Sequence, residues 1–375
     1  MKIRVLHCIE TIASGGVEQV RLTLIKGLDK GKFEHKIVCT WAGGYVADSL
    51  EKEGVELIPI GVFKSILDIR KYGEVLRIIK EFKPHIIHGA IFEGMAMAAI
   101  SGNLGKVPVI ILEETSDPVY RSQKAIWLQR FLVKLSDKII GISPNVCNFL
   151  IKKAKIHPNK VHLINNGVSI PSVDFDQNQI EALKSKLKIS SGDFIIGAVG
   201  RVLDVVKRFS DILKALQKID NPKVKFLLVG DGQDLNQLKN LAIDLGVEKQ
   251  FLTVGYQSKT TYYYLIMDVF CVPSANEGFG LVAVEAMFFR LPVIGTKVGG
   301  LQDIVVDNQT GFLIPPNSPQ EIAEKIQYLI DFPETSKSMG ENGYERAMEH
   351  YTADRYCRKV EDLYLELLKK KGIIE

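Results

Sequence analysis

The sequence predicts an α/β protein of two doubly wound, Rossmann-like domains facing each other across a cleft. Three observations carry this. The chain has 375 residues, which at about 150 residues per domain means two domains. Short apolar runs alternate with amphipathic helical stretches, the pattern of a parallel sheet covered on both faces. The alternation breaks once, around residues 165–193, and then starts again.

Residues 3–9 read as a buried strand. Val17, Val20, Leu24, Ile25 and Leu28 recur at helical spacing and predict a helix over 17–28. A strand over 36–40 follows. Ile69, Val75, Leu76, Ile79 and Phe82 share one face of a helix over 66–82. Strands over 85–88, 109–112 and 138–142 end in polar or turn residues. Asn165-Asn166-Gly167, Pro171 and the polar run Ser190-Ser191-Gly192-Asp193 mark the break. The second series has strands over 194–199, 224–229, 269–272 and 293–294, with helices over 209–219, 235–245 and from Leu281. Domains are expected over 1–170 and 190–350. A last helix, over 355–371, comes too late for the second sheet. In sheets of this kind ligands bind beyond the carboxyl ends of the strands.

Hydrophobic residues make up 46% and charged residues 25% of the chain. That mixture excludes a disordered tail, a collagen or a small disulfide scaffold. A net charge of +4 leaves no nucleic-acid footprint. The charge is uneven, with +7 over residues 1–175 and −3 over 176–375. Cys8, Cys39, Cys147, Cys271 and Cys357 are odd in number and form no C-x-x-C pair, so buried free thiols in a reducing compartment are expected. The first residues lack the apolar core of a signal peptide, and the apolar stretches are strand-sized. A cytoplasmic location is expected, with any membrane attachment peripheral.

Several loops carry chemistry. Gly15-Gly16 lies between a strand and a helix, where backbone N–H groups can approach an anion. Gly200-Arg201 ends a strand, and Lys207 and Arg208 follow, supplying a planar fork and a point charge for phosphate oxygens. Gly230-Asp231-Gly232 resembles a dinucleotide fingerprint, but Leu235 stands at its third glycine, so a nicotinamide site is not supported. The strongest signal is Glu277-Gly278-Phe279-Gly280-Leu281 followed by Glu285. Two carboxylates flank the start of an apolar helix, suited to ligand hydroxyls and a phosphate.

These elements together resemble glycosyltransferase family 4, the retaining enzymes of GT-B fold. The matching residues are Gly15-Gly16-Val17-Glu18, Gly141-Ile142-Ser143, Asn166-Gly167-Val168, Gly200-Arg201 with Lys207, Val229-Gly230-Asp231-Gly232, Glu277 with Glu285, and Val298-Gly299-Gly300. They occur in family order and cover nearly the whole chain. The resemblance implies transfer of a sugar from a nucleotide-diphosphate donor, UDP- or GDP-linked, to a hydroxyl of a glycan or lipid-linked acceptor. Surface polysaccharide or lipid-linked glycan assembly is the implied setting. It implies no cofactor and no metal. Gly15 and Gly16 would pack near the donor phosphates and transferred sugar. Arg201 and Lys207 would hold the diphosphate, and Glu277 the sugar hydroxyls. Glu285 would bind the ribose, and Gly278, Phe279, Gly280 and Leu281 would offer backbone N–H groups. His88 would lie on the acceptor side, and the helix over 355–371 would cross back to the first domain. Attack from the face that the leaving group departs is implied, without a carboxylate nucleophile.

The sequence departs from the family pattern in places. The loop from Arg201 to Lys207 is one residue longer than the common form, and Arg208 replaces a frequent glycine. Either Lys207 or Arg208 then takes the phosphate. Gln302-Asp303 stands where many members have a glutamate. Glu113-Glu114-Thr115 stands where many have a histidine, so Glu114 or His88 substitutes. Asp174-Phe175-Asp176 matches a metal-binding Asp-x-Asp but falls in the linker and reads as solvated. His85, His157 and His162 have no metal-site spacing. Tyr262-Tyr263-Tyr264 reads as packing, and Tyr256 falls where the resemblance places the base. Two other classes fit the shape. An epimerase needs a proton-abstracting set that is not evident, and a non-catalytic binder would lack Arg201, Lys207 or Glu277. Finally, Arg70, Arg77 and Lys80 share the outer face of the helix over 66–82, flanked by Lys64, Lys71 and Lys83, with Lys152, Lys153 and Lys155 as a second group. An anionic membrane surface is the partner expected for them.

Overall fold

The computed structural model describes residues 2–13, 15–63, 68–116, 121–171 and 175–375. The chain forms two compact units, Met1–Ser169 with Tyr351–Glu375, and Ile170–His350. Both are α/β, each built on a parallel sheet.

The strands of the first unit are β1 (Ile3–Cys8), β2 (Thr11–Ile12), β3 (Phe33–Cys39), β4 (Trp41–Ala42), β5 (Glu56–Pro59), β6 (Ile86–Ala90), β7 (Val109–Glu114), β8 (Lys138–Gly141) and β9 (Val161–Leu163). Seven of them form a sheet in the order β5-β3-β1-β6-β7-β8-β9, while β2 and β4 make a separate short ladder. β1 pairs on both sides, with β3 and β6, and five of its six side chains are buried. That is why it reads as a continuous apolar run. The strand order reverses between β1 and its neighbour β6.

The longer helices between its strands are α1 (Gly16–Gly27), α2 (Tyr45–Lys52), α3 (Ile69–Phe82), α4 (Ile91–Leu104) and α5 (Gln123–Lys134). Of the helix expected over 66–82, residues 66–67 lie outside the described residues. α4 is apolar on nearly every side and packs between α3 and α5. The last helix, Ala353–Lys370, starts at Thr352, whose Oγ1 accepts from the Arg355 N–H at 3.4 Å. It packs on α1, burying Tyr356, Val360, Leu363, Tyr364 and Leu367. Lys32 pairs with Glu361 at 2.6 Å and Lys371 with Asp137 at 2.8 Å.

The second unit has β10 (Phe194–Val199), β11 (Val224–Val229), β12 (Phe251–Thr253), β13 (Val269–Val272), β14 (Val293–Thr296) and β15 (Gly311–Ile314), ordered β12-β11-β10-β13-β14-β15. Its core gathers Ile212, Leu216, Phe226, Val269 and Ile294 beside the sheet. The order reverses between β10 and β13, so the loops after these two strands lie at the switch point where doubly wound sheets take ligands. One begins with Gly200-Arg201 and the other runs through Glu277.

All five cysteines are free, and four are buried. Burial pushes the Cys39 thiol up to about 11 and Cys357 up to about 12, so both stay protonated at neutral pH.

Candidate active site

Close backbone packing builds the switch point of the second unit. A Cβ on Gly230 would lie 1.8 Å from the Gly200 carbonyl, and Gly230 has φ +151°, so only glycine fits there. The glycines that suggested a dinucleotide fingerprint therefore bring two strand ends together. Gly300 does the same for the next loop. Its missing Cβ would meet Phe279 Cα at 2.6 Å, and its N–H donates to the Glu277 carbonyl at 3.3 Å.

Arg201 is exposed and its side chain makes no hydrogen bond or ion pair among the described residues. A one-turn helix, Asp204–Lys207, follows. Lys207 Nζ donates to Glu277 Oε2 at 2.7 Å, joining the two loops. The Ala275 N–H donates to the Val206 carbonyl at 2.8 Å and fixes their spacing. Arg208 is different. It sits in the left-handed region at φ +57°, which accounts for glycine being frequent at this position. Its guanidinium forks onto buried Asp211 at 3.0 and 2.8 Å. Of the two alternatives for the phosphate, Lys207 is the one beside Glu277, and Arg208 is engaged elsewhere.

Gly278 and Phe279 lead into the helix Leu281–Phe288, with Gly280 at its N-cap in a left-handed conformation. The first N–H groups of that helix have no intrahelical acceptor and carry partial positive charge. Glu285 lies on the second turn. The Tyr264 hydroxyl donates to its Oε2 at 2.7 Å, and Tyr264 in turn stacks on Phe289 at 5.1 Å. Burial raises the Glu285 pKa, and the tyrosine hydrogen bond opposes that rise. Tyr264 was expected only to pack; its role in orienting Glu285 has no signature in the spacing. Tyr256 is exposed, and among the described residues no hydrogen bond or ring contact joins it to these groups. Asp176 is the N-cap of the helix Gln177–Lys186, accepting from the Asn178 N–H at 2.9 Å, while Asp174 lies outside the described residues. A cavity of about 540 Å³ opens at the opposite edge of the sheet, lined by Asp193, Asp268 and Arg290, and contains none of the motif residues.

In the first unit, Gly15 is the N-cap of α1 and Gly16 its first residue; Ser14 lies outside the described residues. Glu18 is buried beside them and accepts from Thr11 Oγ1 at 3.4 Å. Burial, then Glu93 and Glu18, raise the Glu10 pKa. The surroundings of this loop are therefore acidic, suited to hydroxyl donors more than to a second anion.

His88 requires a correction. It has no exposed surface and so lies inside the unit, away from any surface open to an acceptor. Its Nδ1 faces the Tyr364 hydroxyl at 2.7 Å and Arg21 Nη1 at 3.1 Å, two donors, so its proton sits on Nε2, 3.1 Å from Glu113 Oε2. Glu114 is no substitute either. It is buried and accepts from Ser116 Oγ at 2.7 Å, Gln129 Nε2 at 2.6 Å and both terminal nitrogens of Arg121. Both side chains are directed into the unit, His88 toward Tyr364 and Glu113, and Glu114 toward Ser116, Arg121 and Gln129.

His88 belongs to a buried network that sequence spacing did not reveal. Arg21, 1% exposed, pairs with Glu113 at 2.8 Å and approaches His7 Nδ1 at 3.3 Å, and His7 meets His35 at 3.0 Å. Burial, followed by the Arg21 charge, holds His35 and His88 at about 4 and lowers His7 well below its usual value. All three are neutral in the folded protein at pH 6 and would take up protons on unfolding. The stability they confer is complete above about pH 6.5 and falls toward pH 4, by roughly 1.4 kcal/mol per pH unit for each histidine. Denaturant unfolding at pH 7.5 and pH 5 is expected to show the lower midpoint at pH 5; equal midpoints would contradict neutral histidines.

Comparison with known proteins places the chain in a family. Residues 179–346 match the family described as "Glycosyl transferases group 1", and residues 14–170 match "Glycosyltransferase Family 4". An uncharacterized glycosyltransferase of Methanocaldococcus jannaschii is 30% identical over 284 residues, covering 75% of this chain and 74% of the relative. The UDP-Gal:alpha-D-GlcNAc-diphosphoundecaprenol alpha-1,3-galactosyltransferase of Escherichia coli is 24% identical, covering 99% of this chain and 98% of the relative. Among solved structures, Anabaena Alr3699/HepE in complex with UDP superposes with a TM-score of 0.86 at 21% identity, over 98% of this chain and all of that one. The same protein in complex with UDP-glucose gives a TM-score of 0.86.

Proposed function

This chain belongs to glycosyltransferase family 4, enzymes that take sugar from a nucleotide-sugar, and we propose that it is a retaining transferase acting on a glycan or lipid-linked acceptor. The observation that carries the reading is the Lys207–Glu277 pair at the switch point of the second unit, next to an uncommitted Arg201 and the start of a helix. A UDP- or GDP-sugar is the donor class; UDP is the first choice because the superposing Anabaena structures contain it. A lipid diphosphate-linked acceptor is favoured by the activity named for the Escherichia coli relative.

The proposed roles follow from charge. Arg201 and Lys207 face the diphosphate. Glu277 accepts from hydroxyls of the sugar, and while no donor is bound Lys207 balances its charge. Glu285, aimed by Tyr264, accepts from the ribose hydroxyls. The helix N-terminus at Gly278–Leu281 offers its N–H groups to the distal phosphate. In the transfer, the bond from the anomeric carbon to the phosphate oxygen breaks, and the acceptor oxygen bonds from the same face. The acceptor proton passes to the departing phosphate oxygen. Negative charge grows on that phosphate, so the cations stabilise the transition state more than the bound donor.

Nucleotide release across a panel of UDP-, GDP- and ADP-sugars tests the reading; no release with any donor and a soluble acceptor would refute it. Because two side-chain cations stand at the diphosphate and Asp176 is committed to a helix cap, activity is expected to survive EDTA. Loss with EDTA and recovery with manganese would assign the charge stabilisation to a metal. Among the described residues, no helix is long and apolar enough to cross a membrane.

A further inference from the structure

α5 presents an outer face unlike the other helices of the first unit. Trp127 is 67% exposed and Phe131, one turn on, is 43% exposed. Their rings lie nearly parallel, 10° apart with centroids separated by 6.4 Å. At about 100° per residue, Lys124, Arg130, Phe131 and Lys134 all fall within roughly 60° of Trp127 around the helix axis. Ile126, Gln129, Leu132 and Val133 occupy the buried side. Residues 121–136 contain no acidic side chain. The outer face is thus two aromatic rings set among three cations.

We propose that this face of α5 docks on the anionic surface of a lipid bilayer, with Trp127 and Phe131 at headgroup depth and Lys124, Arg130 and Lys134 against lipid phosphates. The chemistry favours that partner over a soluble glycan. A sugar platform needs hydrogen-bonding acceptors beside its aromatic rings, and only Gln123 joins the cations and rings on this face. Trp and Phe with flanking Lys and Arg are the side chains that settle at a membrane interface. The sheet places further cations nearby. α3 and α5 both pack on α4, and α3 exposes Arg77 and Lys80 on the same side of the sheet. The helix expected to lead the docking is therefore an accessory. Its Arg70 lies 3.8 Å from Asp68, its Lys71 turns inward to the Ile60 carbonyl, and Lys64 falls outside the described residues. The surface gives the proposed lipid-linked acceptor a route to the enzyme, so its use rests on that reading, while the docking itself does not.

The test is co-sedimentation, without donor or acceptor, on vesicles of phosphatidylcholine alone and of equimolar phosphatidylglycerol and phosphatidylcholine. Binding is expected only to the anionic vesicles and to fade at high salt. In a Trp41→Phe background, which leaves Trp127 as the single tryptophan, anionic vesicles should shift the emission to the blue. Trp127→Ala with Phe131→Ala should weaken binding about tenfold or more. Lys124→Gln, Arg130→Gln and Lys134→Gln together should weaken it on the order of 100-fold, about fivefold per cation. Circular dichroism confirms that each variant is folded. Undiminished binding of a folded α5 variant, equal binding to both vesicle types, or an emission shift caused by soluble oligosaccharide but not by vesicles would each overturn the proposal. Because no sugar transfer is read, a failed donor screen leaves this result intact.

Discussion

Glu113→Gln is expected to destabilise the first unit by about 3–5 kcal/mol, the cost typical of breaking a buried ion pair by removing one partner. Arg21 and Glu113 are 1% and 3% exposed at their side chains and meet at 2.8 Å. Burial alone would push the Glu113 pKa up; the Arg21 charge and the His88 hydrogen bond outweigh it and hold the group at about 2. With glutamine in place, the guanidinium keeps its charge and loses its counter-ion in a buried site. The histidines cannot replace it, since protonating them would add positive charge beside Arg21. The effect should reach beyond the pair. Arg21 lies on α1, Glu113 near the end of β7, and the Tyr364 hydroxyl faces the same histidine whose Nε2 lies 3.1 Å from Glu113. The last helix should therefore loosen with the pair. Denaturant unfolding of the variant measures the loss, and hydrogen exchange along residues 353–370 locates it. Replacing both partners, as Arg21→Met with Glu113→Leu, should recover most of the stability because no charge is left buried. A loss below about 1 kcal/mol in Glu113→Gln would mean that the site is wetter than its burial indicates.

How much of this was legible depends on which physical signal each part leaves in the sequence. The interior strands β1, β3, β6, β7, β8, β10, β11, β13 and β14 pair on both sides, and each was readable as an apolar run. Besides the short ladder of β2 and β4, the strands that escaped, β5, β9, β12 and β15, are the edges of the two large sheets. Edge strands pair on one side only. Three of these four, Glu56–Pro59, Val161–Leu163 and Phe251–Thr253, have no fully buried residue, so they are short and mixed in polarity. α4 escaped for the opposite reason: it is apolar nearly all round and buried, which erases the helical period. α5 was blurred by Trp127 and Phe131, apolar residues on the outer face, and by Gln129, a polar residue on the inner one. The loops of the second unit were readable because glycines that bring strand ends together also mark the sequence. The network around Arg21 was not. His7, Arg21, His35, His88, Glu113 and Tyr364 come from six different elements between β1 and the last helix, and no spacing rule connects them.

Lys207→Ala and Arg201→Ala are each expected to lower turnover about 10- to 150-fold, the range that a charged hydrogen bond of ~1.5–3 kcal/mol supplies. The two should differ in kind. Arg201 is exposed and unpaired before the donor arrives, so its loss removes binding and transition-state stabilisation together. Lys207 starts the cycle on Glu277 at 2.7 Å. Moving toward a diphosphate that gains charge, it contributes most when the sugar–phosphate bond is breaking, so Lys207→Ala should lower kcat with a smaller change in KM. Glu277→Gln separates the alternatives further. It frees Lys207 from its partner, yet it replaces a charged acceptor of sugar hydroxyls by a neutral one, so kcat/KM should fall while the nucleotide alone binds as well as before. Arg208 supplies the control. Its guanidinium is committed to Asp211, and glycine accommodates φ +57° without strain. Arg208→Gly should keep turnover within a few-fold of the parent, even if unfolding shifts through the loss of the Asp211 pair. Steady-state kinetics of the four variants, on whichever nucleotide-sugar the donor screen identifies, decide the matter. Unchanged kinetics in both Arg201→Ala and Lys207→Ala would remove the diphosphate from this loop. A large loss in Arg208→Gly with little in Lys207→Ala would transfer the phosphate role to the arginine, which would then have to leave Asp211 when the donor binds.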